Sequence, residues 1–174
     1  MADVAAAVDF ILKQEDAAMS GIITGSPNDR GGRTRFGIPE KWHPTLTATG
    51  FFDGMEREAA LVVAEGILSQ QYASPLLLAK ISSQAIATAL LSMAVVEGKT
   101  QAITLLQRAA GCADDGTMGP QTLAKVNGEN PHSMMDQFAL YQRAYFQRLA
   151  ANDPTQLKWV HGWLNRMNAV QALA

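Results

Sequence analysis

From Ala85 to Val96 the chain is apolar almost without a break, Ala-Ile-Ala-Thr-Ala-Leu-Leu-Ser-Met-Ala-Val-Val. Alanine and leucine at this density predict a helix starting at Ser82 or Ser83 and ending near Gly98. Its apolar residues, Ile86, Leu90, Met93 and Val96 among them, lie on several faces, and a helix apolar nearly all round must be enclosed by other elements. The run is too short to cross a bilayer, and Thr88 and Ser92 interrupt it, so enclosure by protein rather than stable membrane insertion is expected. A length of 174 residues can supply one such core, and a single domain is the expectation.

The surrounding sequence also reads as helices. Val4, Val8 and Ile11 recur at helical spacing within Asp3 to Asp16. Asp53 offers a cap for a helix through Glu56-Arg57-Glu58 to about Tyr72, with Ala60, Val63, Ile67 and Gln71 on one side. Thr100 to Ala110 follows the central segment and is closed by Gly111. Pro120 opens another helix, Asn130-Pro131 precedes a long one to about Ala150, and Asp153-Pro154 caps the last. The fold class is therefore mainly α. The exception is residues 28–38, where Gly31-Gly32 permits a tight turn, Gly37 a second sharp point, and β-branched Thr34 suits a short β-hairpin or extended loop. The expected organisation is one compact unit over 1–174, with an N-terminal part over 1–80 and a helical part over 81–174 packed on it.

Several function classes find no support. Net charge is −2, and the short helix Gln121 to Val126 carries a single lysine, so no nucleic-acid partner is expected. His43, His132 and His161 are scattered, and Asp114-Asp115-Gly116 lacks the further oxygen ligands of a calcium loop; neither a metal nor a cofactor is expected. Cys112 stands alone and reads as a packed thiol. The opening Met1-Ala2-Asp3 lacks the basic lead of a Sec signal, so synthesis in the cytoplasm without that signal is the expectation.

Glu15 continues the stripe Val4, Val8, Ile11, which places a carboxylate where an apolar side chain is due. A carboxyl that loses hydration keeps its proton more readily, the property a general acid needs at neutral pH. Soon after comes the glycine-rich Asn28-Asp29-Arg30-Gly31-Gly32-Arg33-Thr34-Arg35-Phe36-Gly37-Ile38, suited to close approach to a ligand. Thr34 brings a hydroxyl that can hold a water or a substrate oxygen. Trp42, just beyond the loop and before His43-Pro44, is the aromatic residue best placed for a groove wall, whereas Trp163 fits packing in the last helix.

Glu15 with Asp29-x-Gly31-Gly32-x-Thr34-x-Phe36-Gly37-Ile38 resembles the N-terminal signature of the N-acetylmuramidases of glycoside hydrolase family 108. Leu106-Gln107 and Asp115-Gly116-Thr117-Met118-Gly119-Pro120-Gln121-Thr122-Leu123 resemble the peptidoglycan-binding segment that follows in that family, and Gly162-Trp163-Leu164-Asn165-Arg166 resembles its closing element. The chain departs from the pattern in places. Asp16-Ala17 replace a glycine pair, Ser20 to Ser26 lengthens the stretch before Asp29, Arg30 replaces a proline, and Ser92 and Val96 stand where relatives usually have Asp and Asn.

The resemblance implies a lysozyme-like fold, with 1–80 catalytic and 81–174 peptidoglycan-binding. It implies hydrolysis of the β-1,4 bond between N-acetylmuramic acid and N-acetylglucosamine in peptidoglycan glycan strands, as a lysozyme does. Glu15 would be the general acid. Asp29 and Thr34 would flank the attacking water as in phage-type lysozymes, which implies an inverting route. Arg33, Arg35, Phe36, Gly37 and Trp42 are the expected substrate contacts, the arginines suiting acidic peptide stems. Action at the cell wall or in the periplasm then requires a holin, secretion machinery or lysis, and the resemblance takes in both phage endolysins and secretion activators. The alternative is a non-catalytic wall-binding or secretion-accessory protein of the same fold.

Overall fold

Asp3 opens the first helix by local chemistry: its carboxylate accepts from the N–H groups of Ala5 and Ala6 at 2.9 and 3.2 Å. The computed structural model describes residues 1–26 and 31–173. Helix α1 spans Val4–Glu15 and buries Ala7, Val8, Ile11 and Leu12. Helix α2 spans Arg57–Ile67 and runs on into a π turn over Leu68–Ala73, where the Ser74 N–H reaches back to Ser69 O at 2.9 Å. The expected helix to Tyr72 is thus present but changes its winding. Its expected cap is not Asp53. Glu56 holds the cap position, and Asp53 pairs with Arg33.

Helix α3, Gln84–Glu97, is the centre of the molecule. Ser83 caps it, and every residue from Ala85 to Ala94 is buried, Thr88 and Ser92 included. It packs against α1 and against three later helices: α4 (Lys99–Ala109), α6 (Pro131–Asn152) and α7 (Leu157–Gln171). The starts of α1 and α3 are joined reciprocally, the Asp3 N–H donating to Gln84 Oε1 at 2.7 Å and Gln84 Nε2 to Asp3 O at 3.0 Å. Gly98 (φ +87) turns the chain between α3 and α4, and Gly111 (φ +63) follows the end of α4. Helix α5 spans Pro120–Gly128. Asn130 caps α6 through His132 and Ser133, and Asp153 caps a short 3-10 turn, Pro154–Gln156, that leads into α7. Among the described residues no helix is long and apolar enough to cross a membrane.

The sheet is small: β1 (Thr34–Arg35) and β2 (Ile38–Pro39) pair antiparallel, and Thr24 bridges to the other side of Thr34. Gly32 bends the chain with a φ of +74°, and the turn of the hairpin itself falls at the second expected point, Phe36-Gly37. Both residues have positive φ, 49° and 75°, as a two-residue type I′ hairpin demands. Two arginines anchor this hairpin. Arg35 is buried and donates from Nε to Gly21 O at 2.9 Å and from Nη1 to Phe51 O and Met55 O at 2.8 and 2.9 Å. Arg33 lies between two carboxylates, donating from Nε and Nη2 to Glu40 at 2.9 and 2.7 Å and from Nη1 to Asp53 at 2.5 Å. Its hydrogen bonds hold Glu40 down at about 2, against an ordinary value of 4.5, and lower Asp53 as well.

In the C-terminal half, Gln107 pins the segment before α5 onto α4. Its Nε2 donates to Asp115 Oδ1, Thr117 O and Thr122 Oγ1 at 2.9, 3.0 and 3.1 Å, and its Oε1 accepts from the Gly116 N–H at 2.9 Å. Gly116 has φ +72, and a β-carbon there would come within 2.7 Å of Thr100 Cγ2. The Asp115-Gly116 pair is therefore a structural turn, as its sequence suggests.

Gln107→Ala leaves buried donors and acceptors unpaired, and a loss of about 2–4 kcal/mol is expected from chemical denaturation. The hairpin anchor carries a pH signature. Because the folded-state value of Glu40 is depressed, its stabilising contribution is present above 4.5 and fades as pH falls toward about 2. The Tm difference between wild type and Glu40→Gln is therefore expected to be flat down to about pH 5 and to shrink below it.

Candidate active site

The geometry of α1 and the hairpin decides where Glu15 points. Glu15 is the last residue of α1, and the hairpin turn lies directly against it. A β-carbon on Gly37 would fall within 3.0 Å of Glu15 Cβ, Cγ and Cδ. Glycine is thus required at 37 twice over, for its φ of +75° and for the room the acid occupies. Phe36 is buried, and its ring packs over Gly21, where a β-carbon would come within 2.6 Å of Cζ. That contact ties the hairpin to the segment Ser20 to Ser26. The same segment is held to the end of α1 by Asp16, whose Oδ2 accepts from Ser20 Oγ at 3.1 Å and from the Gly21 N–H at 2.7 Å.

From the other end of the chain, Arg166 on α7 donates from Nη1 to Glu15 Oε1 at 2.5 Å. The Arg166 side chain is 14% exposed and that of Glu15 27%, so the arginine is mostly enclosed while the carboxylate stays open to the groove. Arg166 Nε donates to Ser92 Oγ of α3 at 2.8 Å. Its Nη2 is buried and has no hydrogen-bond partner among the described residues.

Glu15 opens onto a groove of two adjoining chambers. The near chamber, about 930 Å³, is lined by Glu15, Thr24, Thr34, Gly37, Gln156 and Trp159 among others. The lengthened segment supplies Ser20, Ile22 and Gly25 to its wall. The far chamber, about 880 Å³, is lined by Trp42, Tyr72, Val96, Glu97, Asp153 and Trp159 among others. Gly31, Gly37, Gln156 and Trp159 line both. Glu97 is held by the Tyr145 hydroxyl at 2.8 Å; burial pushes that hydroxyl up, and the Glu97 carboxylate adds to the shift.

The sequence-predicted residues divide accordingly. Glu15, Thr34, Phe36 and Gly37 meet in the near chamber, and Trp42, 66% exposed, lines the far one. Arg33 and Arg35 line neither, since their guanidinium groups are engaged in anchoring the hairpin. Asp29 lies outside the described residues. Sequence reasoning did not give Arg166 its place beside Glu15, although the closing motif contains it. Nor did it single out Trp159, which is 54% exposed at the junction of the chambers, or Gln156 beside it. Trp159 is one of the aromatic residues whose chemistry suits stacking on a sugar, but Trp42 is the one expected at a groove wall; Gln156 carries no comparable signal. Trp163 stacks on Phe146 at 4.8 Å, the packing role expected, and also borders the far chamber. Among the described residues no cluster of His, Cys, Asp and Glu is arranged to hold a metal.

The family model "Glycosyl hydrolase 108" matches residues 8–98, and the model "Predicted Peptidoglycan domain" matches residues 101–168. They meet at the Gly98 turn between α3 and α4. The solved structure of Brucella abortus SagA superposes with a TM-score of 0.72 at 22% identity, over 97% of this chain and 91% of that one, which shows a shared fold. No curated protein matches the chain. With Glu15 in a groove walled by both matched segments, and the first match covering more than half of its length, the chain belongs to glycosyl hydrolase family 108 and is a glycoside hydrolase with a role on peptidoglycan.

Proposed function

We propose that the chain is a muramidase that hydrolyses the β-1,4 bond between N-acetylmuramic acid and N-acetylglucosamine, with Glu15 as general acid. One observation carries the reading. The Glu15 carboxylate, held by Arg166 and given room by Gly37, opens into a groove of two adjoining chambers of about 930 and 880 Å³. In the reaction the Glu15 carboxyl protonates the glycosidic oxygen as its bond to the anomeric carbon breaks, and positive charge builds on that carbon and the ring oxygen. Thr34, on the same chamber wall, holds the water that attacks the anomeric carbon. Asp29 takes the proton from that water, giving inversion, the outcome associated with a carboxyl separation of about 6.5–9.5 Å. Arg166 acts through Glu15. By holding Oε1 it fixes the side chain against the hairpin, and about 1 Å of misplacement can cost 100-fold in rate. Arg33 and Arg35 serve substrate indirectly by keeping the hairpin in register. Action at the cell wall or in the periplasm, reached through a holin, secretion machinery or lysis, completes the proposal.

Digestion of purified peptidoglycan followed by mass spectrometry with anomer detection should yield reducing-end muramic acid in the α configuration, the inverted product. Glu15→Gln should lower that yield by about 100-fold or more while leaving the circular dichroism spectrum intact. Cleavage on the other side of the sugar, cleavage in the stem peptide, or full activity of Glu15→Gln would refute the assignment. Gly37→Ala and Arg166→Leu are each expected to reduce kcat about 10- to 100-fold with a smaller change in KM, since both displace the acid more than they alter the groove. A change confined to KM would show that neither residue positions Glu15.

A further inference from the structure

Among the described rings of this protein, Phe36, Phe51, Phe52 and Phe138 are fully buried, whereas Trp42 and Trp159 are 66% and 54% exposed on the groove. Leaving two indoles wet forgoes some of the most favourable burial a chain can make. Exposed rings that border a cleft are better explained by a ligand that covers them. Deepening the muramidase reading, and resting on it, we propose that the far chamber is a sugar-binding subsite. Trp159 is its stacking platform, shared with the chamber of Glu15, so that one glycan strand lies across both.

Three features argue for a sugar there. The chambers share Gly31, Gly37, Gln156 and Trp159, so a strand seated against Glu15 extends past Trp159 without leaving the groove. The far chamber offers aromatic faces from Trp42, Tyr72 and Trp159 beside the carboxylates of Glu97 and Asp153. A pyranose ring, apolar on its faces and rich in hydroxyl and amide donors at its edge, matches that combination. The charged side chains in its described lining are the carboxylates of Glu97 and Asp153, which disfavour an acidic stem peptide, and the nearby ammoniums of Lys158 and Lys99 are engaged over the Trp159 and Tyr72 rings. At about 880 Å³ it falls within the usual range for small-molecule sites, roughly 300–1,000 Å³. The Lys158 ammonium sits over the Trp159 ring, 5.0 Å from its centroid, and helps hold the indole in place.

Binding can be read without turnover. In full-length Glu15→Gln, isothermal titration with β-1,4 N-acetylglucosamine oligomers of increasing length should show affinity that rises until both chambers are filled. Adding Trp159→Ala should weaken the longest oligomer about tenfold, with Trp159→Phe recovering much of the loss. Unchanged affinity in a well-folded Trp159→Ala protein, or binding of a free acidic stem peptide as tight as that of the sugar, would overturn the proposal. Trp159-dependent sugar binding by a protein whose wild type releases no reducing-end muramic acid would refute the muramidase reading and leave this one standing. Muramic acid release with Trp159-independent binding would do the reverse.

Discussion

A helix buried along every face must be surrounded, and this one requirement organises the molecule. From Ala85 to Ala94 every residue of α3 is buried, and α1, α4, α6 and α7 all pack against it. Enclosure brings α1 and α7, the first and last helices, to the same central element. Glu15 and Arg166, 151 positions apart, become neighbours as a consequence. Ser92, one of the few polar residues on α3, is the third member of the contact. The apolar core and the polar centre of the site are therefore two results of one packing arrangement.

The hairpin supplies the opposing surface. Its short strands have too few ladder bonds to be stable alone, and Arg33 and Arg35 compensate by fastening it to the segment Phe51 to Met55 and to Gly21. Rigidity there matters because Gly37 packs on Glu15 with no space to spare. Two fixed surfaces, α7 through Arg166 and the turn through Gly37, leave the acid little freedom. Under the proposed muramidase reading, such preorganisation would remove reorientation from the chemical step.

The residues matched as a peptidoglycan domain do more than follow the glycosidase segment. Gln156, Trp159 and Arg166 all belong to them, and they form one wall of the groove and the partner of the acid. The groove is complete only when both segments are packed on α3.

The sequence by itself determined the helices, because their boundaries are written in local chemistry. Asp3, Ser83 and Asn130 cap as their side chains dictate, and Pro120 and Pro131 stand in first turns. It also determined the enclosed position of α3 and the presence of a hairpin near Thr34, since periodicity and glycine placement act over a few residues. What it left open depends on distant partners. Asp53 has the chemistry of a helix cap and Arg33 and Arg35 that of substrate contacts, yet each is claimed by a tertiary bond that local reasoning cannot see. Only the tertiary structure chose Trp159 beside Trp42 as an exposed groove ring, and only it joined Arg166 to Glu15. The exposure of a side chain and the partner of a charge are properties of packing between segments far apart in the chain, and no spacing along one segment encodes them.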